Sequence, residues 1–360
     1  MSATFLRPAR LLAPCFFLCM VMKVQAQLQV RTEIYPGVEL LNVIHLLSDS
    51  VETVPSTYTT EVRKHFIAYK DHPAVKKVQE LALANCDFPL RHAWCLYNFP
   101  DIKLYEPDTL GAYNKYVTTA AIKDYLQACV DFYRESHFWE FFIAYRSTYD
   151  QWINSFNRNL YEAGMLASAD SFYRLKPTRK VVFTLGPMNC SSFALPETGV
   201  INPVLSGIST IFVAYGNVFR STDTTFPVFY RSWTSQMIWH EAGHVYLADL
   251  FRKYKKEVSA LQPLFDRNED TKKQAGSIGW ALYLDENITQ AVTSYLRIHT
   301  GRAARQAELD RIVNDGYYLL SATIISIIEE KYTGKNDYDD FDAFFPVMLQ
   351  ELGKRVGVAQ

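Results

Sequence analysis

The sequence His240-Glu241-Ala242-Gly243-His244 contains residue types that bind metal ions and transfer protons. Apolar residues flank it in Met237-Ile238-Trp239 and Val245-Tyr246-Leu247, which is typical of a buried helix rather than of a helix surface that happens to carry histidines. Two histidines four residues apart lie on one face of a helix, so both imidazoles can reach one metal ion. The pattern therefore predicts a zinc site at His240 and His244.

Glu241 is the candidate for the proton-transfer step. It lies about 100° around the helix from the first histidine, so it overhangs the metal without having to bind it. From there a carboxylate can take a proton from the attacking water and pass it to a leaving amine. We therefore predict that Glu241 is a general base.

A catalytic zinc site needs a third protein ligand, and a later helix offers one. In the metzincin pattern the third ligand is a histidine six residues after His244, but this chain has Leu250 at that position. Residues 279–296 have helical periodicity, and Glu286 lies on a face with apolar neighbours. A carboxylate there is costly unless it binds something, so Glu286 is the predicted ligand, with Asp285 as its rival. Gln290, one turn later, is a candidate to hydrogen-bond a ligating histidine.

An HExxH sequence followed by a glutamate on a later helix resembles the gluzincin group of zinc metallopeptidases, over roughly residues 209–298. The resemblance implies that His240, His244 and Glu286 bind zinc and that Glu241 is the general base. It also implies that residues 210–215 form the sheet edge along which an extended peptide lies.

Two features of the gluzincin pattern differ or stay open in this sequence. Many gluzincins carry an aspartate four residues after the ligand glutamate, where this chain has Gln290. Gluzincins often stabilise the oxyanion with a downstream tyrosine or histidine, and Tyr295, Tyr317 and Tyr318 are equal candidates here.

A second resemblance extends over nearly all of residues 36–353. The sequence Val38-Glu-Leu-Leu followed by Tyr69-Lys-Asp-His-Pro-Ala-Val is similar to a family of exported bacterial proteins defined only as a domain of unknown function. This resemblance implies a single unit and bacterial export, and it names no substrate.

The N-terminal residues have the pattern of a secretory signal. Arg7 and Arg10 precede an apolar run, residues 11–22, that is too short to span a bilayer. Val24-Gln25-Ala26 then offers small residues for cleavage. The pattern predicts a signal peptide over residues 1–26, with a retained anchor as the alternative. The expected location is periplasmic or extracellular, with no transmembrane segment after signal removal.

The elements around the motif predict the fold class. Residues 36–162 have mainly helical periodicity, and helices return after residue 232. Short β-branched and aromatic runs between turn residues predict strands at residues 27–34, 181–185, 210–215 and 226–230. We expect a mostly helical α+β fold, with a zincin-like metallopeptidase core and a small sheet next to the HExxH helix.

Two regions follow from this reading. Residues 27–175 form a helical N-terminal region, and residues 176–360 form the zincin-like catalytic region. No repeat or flexible linker separates them, so we expect one compact unit.

Composition excludes one class of partner and leaves the cysteines open. The 37 basic and 38 acidic residues give a net charge of −1, so the chain has no basic excess for nucleic acid. Four cysteines follow the predicted signal peptide: Cys86, Cys95, Cys129 and Cys190. Export permits disulfides, but buried free thiols are an equal alternative.

The sequence as a whole predicts an exported zinc metallopeptidase that cleaves a peptide or protein substrate with a water activated by Zn²⁺. Two alternatives remain. One is a periplasmic or surface binding module that holds zinc without catalysis. The other is a zinc amidase that acts on a non-peptide amide such as a cell-wall crosslink.

Overall fold

The computed structural model describes residues 30–81, 90–106, 118–162, 164–175, 180–214, 231–334 and 338–356. The predicted signal peptide, Cys86 and the strand predicted at residues 226–230 lie outside these ranges. The described helices are α1 (Pro36–Ser48), α2 (Thr57–Phe66), α3 (Pro73–Glu80), α4 (Thr119–Glu135), α5 (Phe138–Ala144), α6 (Arg146–Glu162), α7 (Met165–Tyr173), α8 (Arg231–Lys253), α9 (Lys255–Phe265), α10 (Glu269–Ile278), α11 (Trp280–His299), α12 (Arg305–Asp315), α13 (Ser321–Ile327) and α14 (Phe341–Arg355). The described strands are β1 (Val30–Glu33), β2 (Leu96–Tyr97), β3 (Lys103–Leu104), β4 (Lys180–Gly186), β5 (Phe193–Leu195) and β6 (Ile208–Ala214).

A four-stranded sheet joins the N-terminal strand to the strands in the middle of the chain. Its order is β1-β4-β6-β5. Strand β4 pairs in parallel with β1 on one side and with β6 on the other, whereas β5 pairs antiparallel with β6. After its first residue each of the two central strands is buried, which explains their runs of consecutive apolar residues. The prediction of a mostly helical α+β fold with a small sheet is confirmed.

The predicted sheet edge is wrong. Residues 210–215 were expected at the edge, but β6 lies between β4 and β5. Among the described strands, β5 is the outermost one on that side. Its three residues, Phe193–Leu195, are too few to show the alternating pattern that identifies a strand in a sequence.

The described part of the N-terminal region is mainly helical, with two local interruptions. A two-stranded antiparallel ribbon, β2 with β3, interrupts the helices. The chain also turns between α4 and α5, where His137 takes a left-handed backbone conformation (φ 52°). This turn redirects the chain so that Phe138, Phe141 and Phe142 are buried in the core.

The two predicted regions share one sheet and one core. Strand β1 belongs to the first region and pairs with β4 of the second. A single cluster of buried apolar side chains extends from Ile34 to Leu352. The helices that carry the predicted metal ligands are therefore held by residues from both ends of the chain.

Gly243 lets α8 and α11 approach closely. A Cβ atom at this position would lie 2.8 Å from Cγ2 of Thr289 and 3.3 Å from the hydroxyl oxygen of Tyr173. A side chain here would force Thr289 of α11 to shift, and α11 also carries Glu286. The glycine inside HEAGH thus sets the spacing between the two helices.

None of the helices in the described ranges combines the length and the hydropathy that a bilayer crossing demands. Cys95, Cys129 and Cys190 form no disulfide with one another, and the first two are buried.

A buried carboxylate on α1 is held by a polar network in the N-terminal region. Glu39 is 1% exposed. The Tyr58 hydroxyl donates to its Oε2 at 2.7 Å, and Asn42 Nδ2 donates to its Oε1 at 3.1 Å. Burial raises the pKa of Glu39 to about 7, although these hydrogen bonds act in the opposite direction.

The free energy of unfolding should fall as pH rises from about 4.5 to 7 because of Glu39. In this window the folded protein binds more protons at Glu39 than the unfolded chain does, so stability present below pH 4.5 is lost as pH rises through 7. The contribution is on the order of 3 kcal/mol. Urea unfolding of Glu39→Gln at several pH values should show a free energy of unfolding without this pH-dependent contribution.

The quantity to compare is the difference in the free energy of unfolding between the native protein and Glu39→Gln at each pH. Buried His45, whose pKa is lowered to about 3 by burial, contributes with the opposite sign over part of the same window. Glu269→Gln, an exposed change of the same kind, is the control. Parallel curves for the native protein and Glu39→Gln would contradict the prediction.

Candidate metal centre

The three predicted metal ligands meet where α8 packs against α11. His240 Nε2 is 3.2 Å from Glu286 Oε2, and His244 Nε2 is 3.6 Å from Glu286 Oε1. One ligand atom from each residue lies within 4.8 Å of the others. The side chains are only 16%, 11% and 24% exposed for His240, His244 and Glu286.

The donor set and its spacing fit zinc. Two imidazoles and one carboxylate form a typical catalytic zinc site, and bonds of about 2.1 Å at tetrahedral angles place ligand atoms roughly 3.4 Å apart. Each histidine Nε2 lies near that distance from an oxygen of Glu286, at 3.2 Å from Oε2 for His240 and at 3.6 Å from Oε1 for His244. Magnesium and calcium prefer sites made of oxygen ligands alone, whereas two of the three ligand atoms here are imidazole nitrogens. Three protein ligands leave a fourth position for water or substrate.

Asp285 contacts the other nitrogen of His244. Its Oδ2 lies 2.7 Å from Nδ1, the distance of a charge-assisted hydrogen bond. With the proton on Nδ1, the Nε2 lone pair points toward Glu286, as metal binding requires. The sequence suggested Asp285 only as a rival ligand, whereas here it lies where it can orient a ligand.

Two buried oxygens behind this contact have no hydrogen bond among the described residues. They are Oδ1 of Asp285 and the hydroxyl of Tyr173. Burial raises the pKa of Tyr173, and the charge of Asp285 raises it further. The two groups therefore lie within electrostatic range of each other behind the metal ligands.

Gln290 does not take the role predicted for it. Its Nε2 donates to Ser294 Oγ at 2.9 Å, and the Ser294 hydroxyl donates to Glu308 Oε1 at 2.9 Å. This chain of hydrogen bonds joins α11 to α12. The position beside a ligating histidine belongs to Asp285, which precedes the ligand glutamate instead of following it by four residues.

Glu241 is buried beside the cluster and is 8% exposed. Burial raises its pKa, and the charge of Glu286 adds to the effect. The two imidazoles and the positive charge of Arg91 act in the opposite direction. Glu241 is thus a carboxylate next to the ligands but outside their three-residue cluster.

The predicted ligands interact strongly with one another. Burial opposes a charge on His244, but the carboxylates of Asp285, Glu286 and Glu241 outweigh it and raise its pKa to about 10. Burial alone would raise the pKa of Glu286, yet hydrogen bonding to His240 and the charge of His244 lower it overall. A metal ion would have to displace the proton of His244, so binding should release protons.

A cavity of about 240 Å³ lies against the ligands. One side is formed by α8 and α11, and the other by β5 and its flanking residues. The lining residues are Arg91, Ser192, Phe193, Ala194, Pro196, His240, Glu241, His244, Leu282, Asp285 and Glu286. Strand β5, the outermost described strand on that side of the sheet, therefore runs beside the predicted metal ligands.

Sequence reasoning missed Arg91 and the β5 residues. Arg91 lies in the 3₁₀ helix Leu90–Cys95 of the N-terminal region, about 150 residues before His240. No motif marks it, and only the tertiary fold brings it to the cavity. The pair Asp285-Glu286 was the one available signal for a carboxylate next to a ligand.

The structure separates the three tyrosines that the sequence left equal. Tyr295 stacks on His299 and packs against Phe172. The ring of Tyr318 lies edge-on to the ring of His240, with 6.4 Å between centroids. Burial, and after it the charge of Glu286, raises the pKa values of both Tyr317 and Tyr318. Tyr318 is the candidate in ring contact with a ligand.

Comparison with known proteins places the chain in one family. No curated protein and no solved structure gives a significant match. The family profile described as a domain of unknown function, DUF4932, matches residues 30–350, a range that includes every residue lining the cavity. The chain therefore belongs to the DUF4932 family.

Proposed function

We propose that this protein is an exported, zincin-like metallopeptidase that uses zinc to hydrolyse peptide bonds. One observation carries the proposal: two histidines and a glutamate converge at zinc-ligand spacing, with a buried Glu241 beside them and a cavity bounded by an edge strand. Export is proposed from residues 1–26, which have the pattern of a signal peptide.

The roles of the residues follow from their positions. His240, His244 and Glu286 hold zinc, and Asp285 fixes the ring of His244 through Nδ1. Zinc in such a site supplies Lewis-acid polarisation of the scissile carbonyl and lowers the pKa of the attacking water. The carboxylate of Glu241 takes the proton of that water and delivers it to the leaving amine.

The substrate chain is proposed to lie along β5. Among the described strands β5 is outermost, and Phe193 and Ala194 line the cavity. An extended peptide can add to such an edge through backbone hydrogen bonds, which places its carbonyl next to the ligands. Tyr318, whose ring lies edge-on to the ring of His240, is proposed to stabilise the oxyanion.

Metal analysis and digestion of a peptide library test the proposal. Purified mature protein should contain one zinc per chain, and it should cleave members of a mixed-sequence library in a chelator-sensitive way. Added zinc should restore cleavage after chelation. A protein that holds zinc and cuts no peptide is a binding module, unless it releases fragments from cell-wall material, in which case it is an amidase. Absence of zinc binding would overturn all three readings.

A further inference from the structure

Arg91 contributes a guanidinium group to the cavity lining, and it comes from the side of β5. The acidic groups of the lining are Glu241, Asp285 and Glu286, all on α8 and α11. The guanidinium carbon lies 4.3 Å from the centroid of the Phe193 ring, at the start of β5. The positive charge is therefore placed where a substrate on β5 would pass.

The contact with Phe193 gives the guanidinium a defined orientation. Stacking on an aromatic face holds the plane of the arginine fork, so less rotamer freedom is lost when the fork binds a partner. Such a planar fork matches a carboxylate, which can accept two parallel hydrogen bonds from it. The half-buried position of Arg91 reduces the screening of that interaction by solvent.

Arg91 lies close to the reacting groups, because it lines the same cavity as Glu241 and Glu286. The cavity, at about 240 Å³, is also smaller than a usual ligand site of about 300–1,000 Å³. A group bound by Arg91 would therefore be a close neighbour of the scissile bond.

We propose that Arg91 is a specificity determinant that binds a peptide carboxylate next to the scissile bond. The carboxylate has two possible sources, the C terminus of the substrate or the side chain of an aspartate or glutamate. The first source would make the protein a carboxypeptidase, and the second an endopeptidase that prefers acidic residues. This inference rests on the proposed peptidase function, since it assigns the substrate class of the same cavity.

Binding of three hydroxamates tests the inference without requiring turnover. They are dipeptides that carry a zinc-binding hydroxamate group at the N terminus and differ in the last residue and its C-terminal group: alanine with a free carboxylate, glutamate with an amidated C terminus, and glutamine with an amidated C terminus. We expect one of the first two to bind the zinc-loaded native protein at least about tenfold more tightly than the neutral glutamine compound. The one that does so identifies the source of the carboxylate.

Substitutions of Arg91 then assign the preference. Arg91→Gln should reduce the affinity ratio of the preferred acidic compound to the neutral glutamine compound to about one. The affinity for the neutral compound and the zinc content should change little. Arg91→Lys keeps the charge but loses the planar guanidinium fork, so it should keep part of the preference for the acidic compound. Arg305→Gln is the control, because it removes an exposed arginine that pairs with Glu329 away from the cavity. It should keep the full preference for the acidic compound.

Three outcomes would overturn the inference: equal affinities for all three compounds in the native protein, a preference that survives in Arg91→Gln, or an equal loss of affinity for neutral and acidic compounds in that variant. Library cleavage is scored separately. A native protein that shows the carboxylate preference and cuts no peptide would contradict the proposed function but not the role of Arg91.

Discussion

Glu241→Gln is expected to abolish most peptide cleavage while leaving zinc in place. The amide cannot accept the proton of the attacking water, and general-base assistance contributes roughly 10²–10⁴-fold to a rate. Glu241 is not among the three clustered ligands, so zinc content should stay near that of the native protein. Steady-state cleavage of a library-derived peptide and metal analysis by mass spectrometry measure the two quantities.

Two further variants make this result specific. Glu257→Gln, on the exposed side of α9, is the same chemical change away from the site and should have no effect. Glu241→Asp keeps a carboxylate but shortens the side chain by one methylene. Its activity should therefore fall between that of the native protein and that of Glu241→Gln. Undiminished cleavage by Glu241→Gln would exclude Glu241 as the base, and loss of zinc together with activity would make it a ligand instead.

Removal of Glu286 should weaken zinc binding more than removal of its neighbour Asp285. Apparent binding free energies of about 10–16 kcal/mol for four-ligand zinc sites, divided evenly, give roughly 10²–10³-fold per ligand. Loss of a group that only orients a ligating histidine typically costs about 10–100-fold. Chelator competition on Glu286→Ala and Asp285→Ala measures the two affinities.

The adjacency of these carboxylates makes the comparison a direct test of the geometry. Glu286 Oε1 and Oε2 approach Nε2 of the two histidines, whereas Asp285 Oδ2 approaches Nδ1 of His244. Undiminished zinc affinity in Glu286→Ala, together with a large loss in Asp285→Ala, would reverse the assignment. Melting temperatures with and without added zinc should follow the same order, because a ligand that binds only the folded state stabilises it.

The metal cluster was predictable because its geometry is mostly local. A helix fixes the relation of His240 to His244, and the apolar periodicity of α11 indicated which face of that helix is buried. The structure then brings Glu286 to both imidazoles. The roles of these residues in zinc binding and catalysis remain predictions.

The remainder of the cavity depends on contacts between distant parts of the chain. Strand β5 has three residues and no visible pattern, and the gluzincin resemblance implies residues 210–215 as the edge instead. Arg91 carries no spacing relation to any residue of the motif. The choice of Asp285 over Gln290 beside His244 depends on side-chain direction, which periodicity leaves undetermined between neighbours on one helix.

The pairing of β1 with β4 has a consequence for the order in which the protein folds. Val30 pairs with Val181 across about 150 residues, whereas α8 and α11 lie within residues 231–299. Contacts between distant residues form late, because closing a long loop costs chain entropy before the contact repays it. We expect the ligand helices to be protected in pulse-labelled hydrogen exchange before β1 is. The residues proposed to bind zinc would then come together while the β1 side of the sheet is still incomplete.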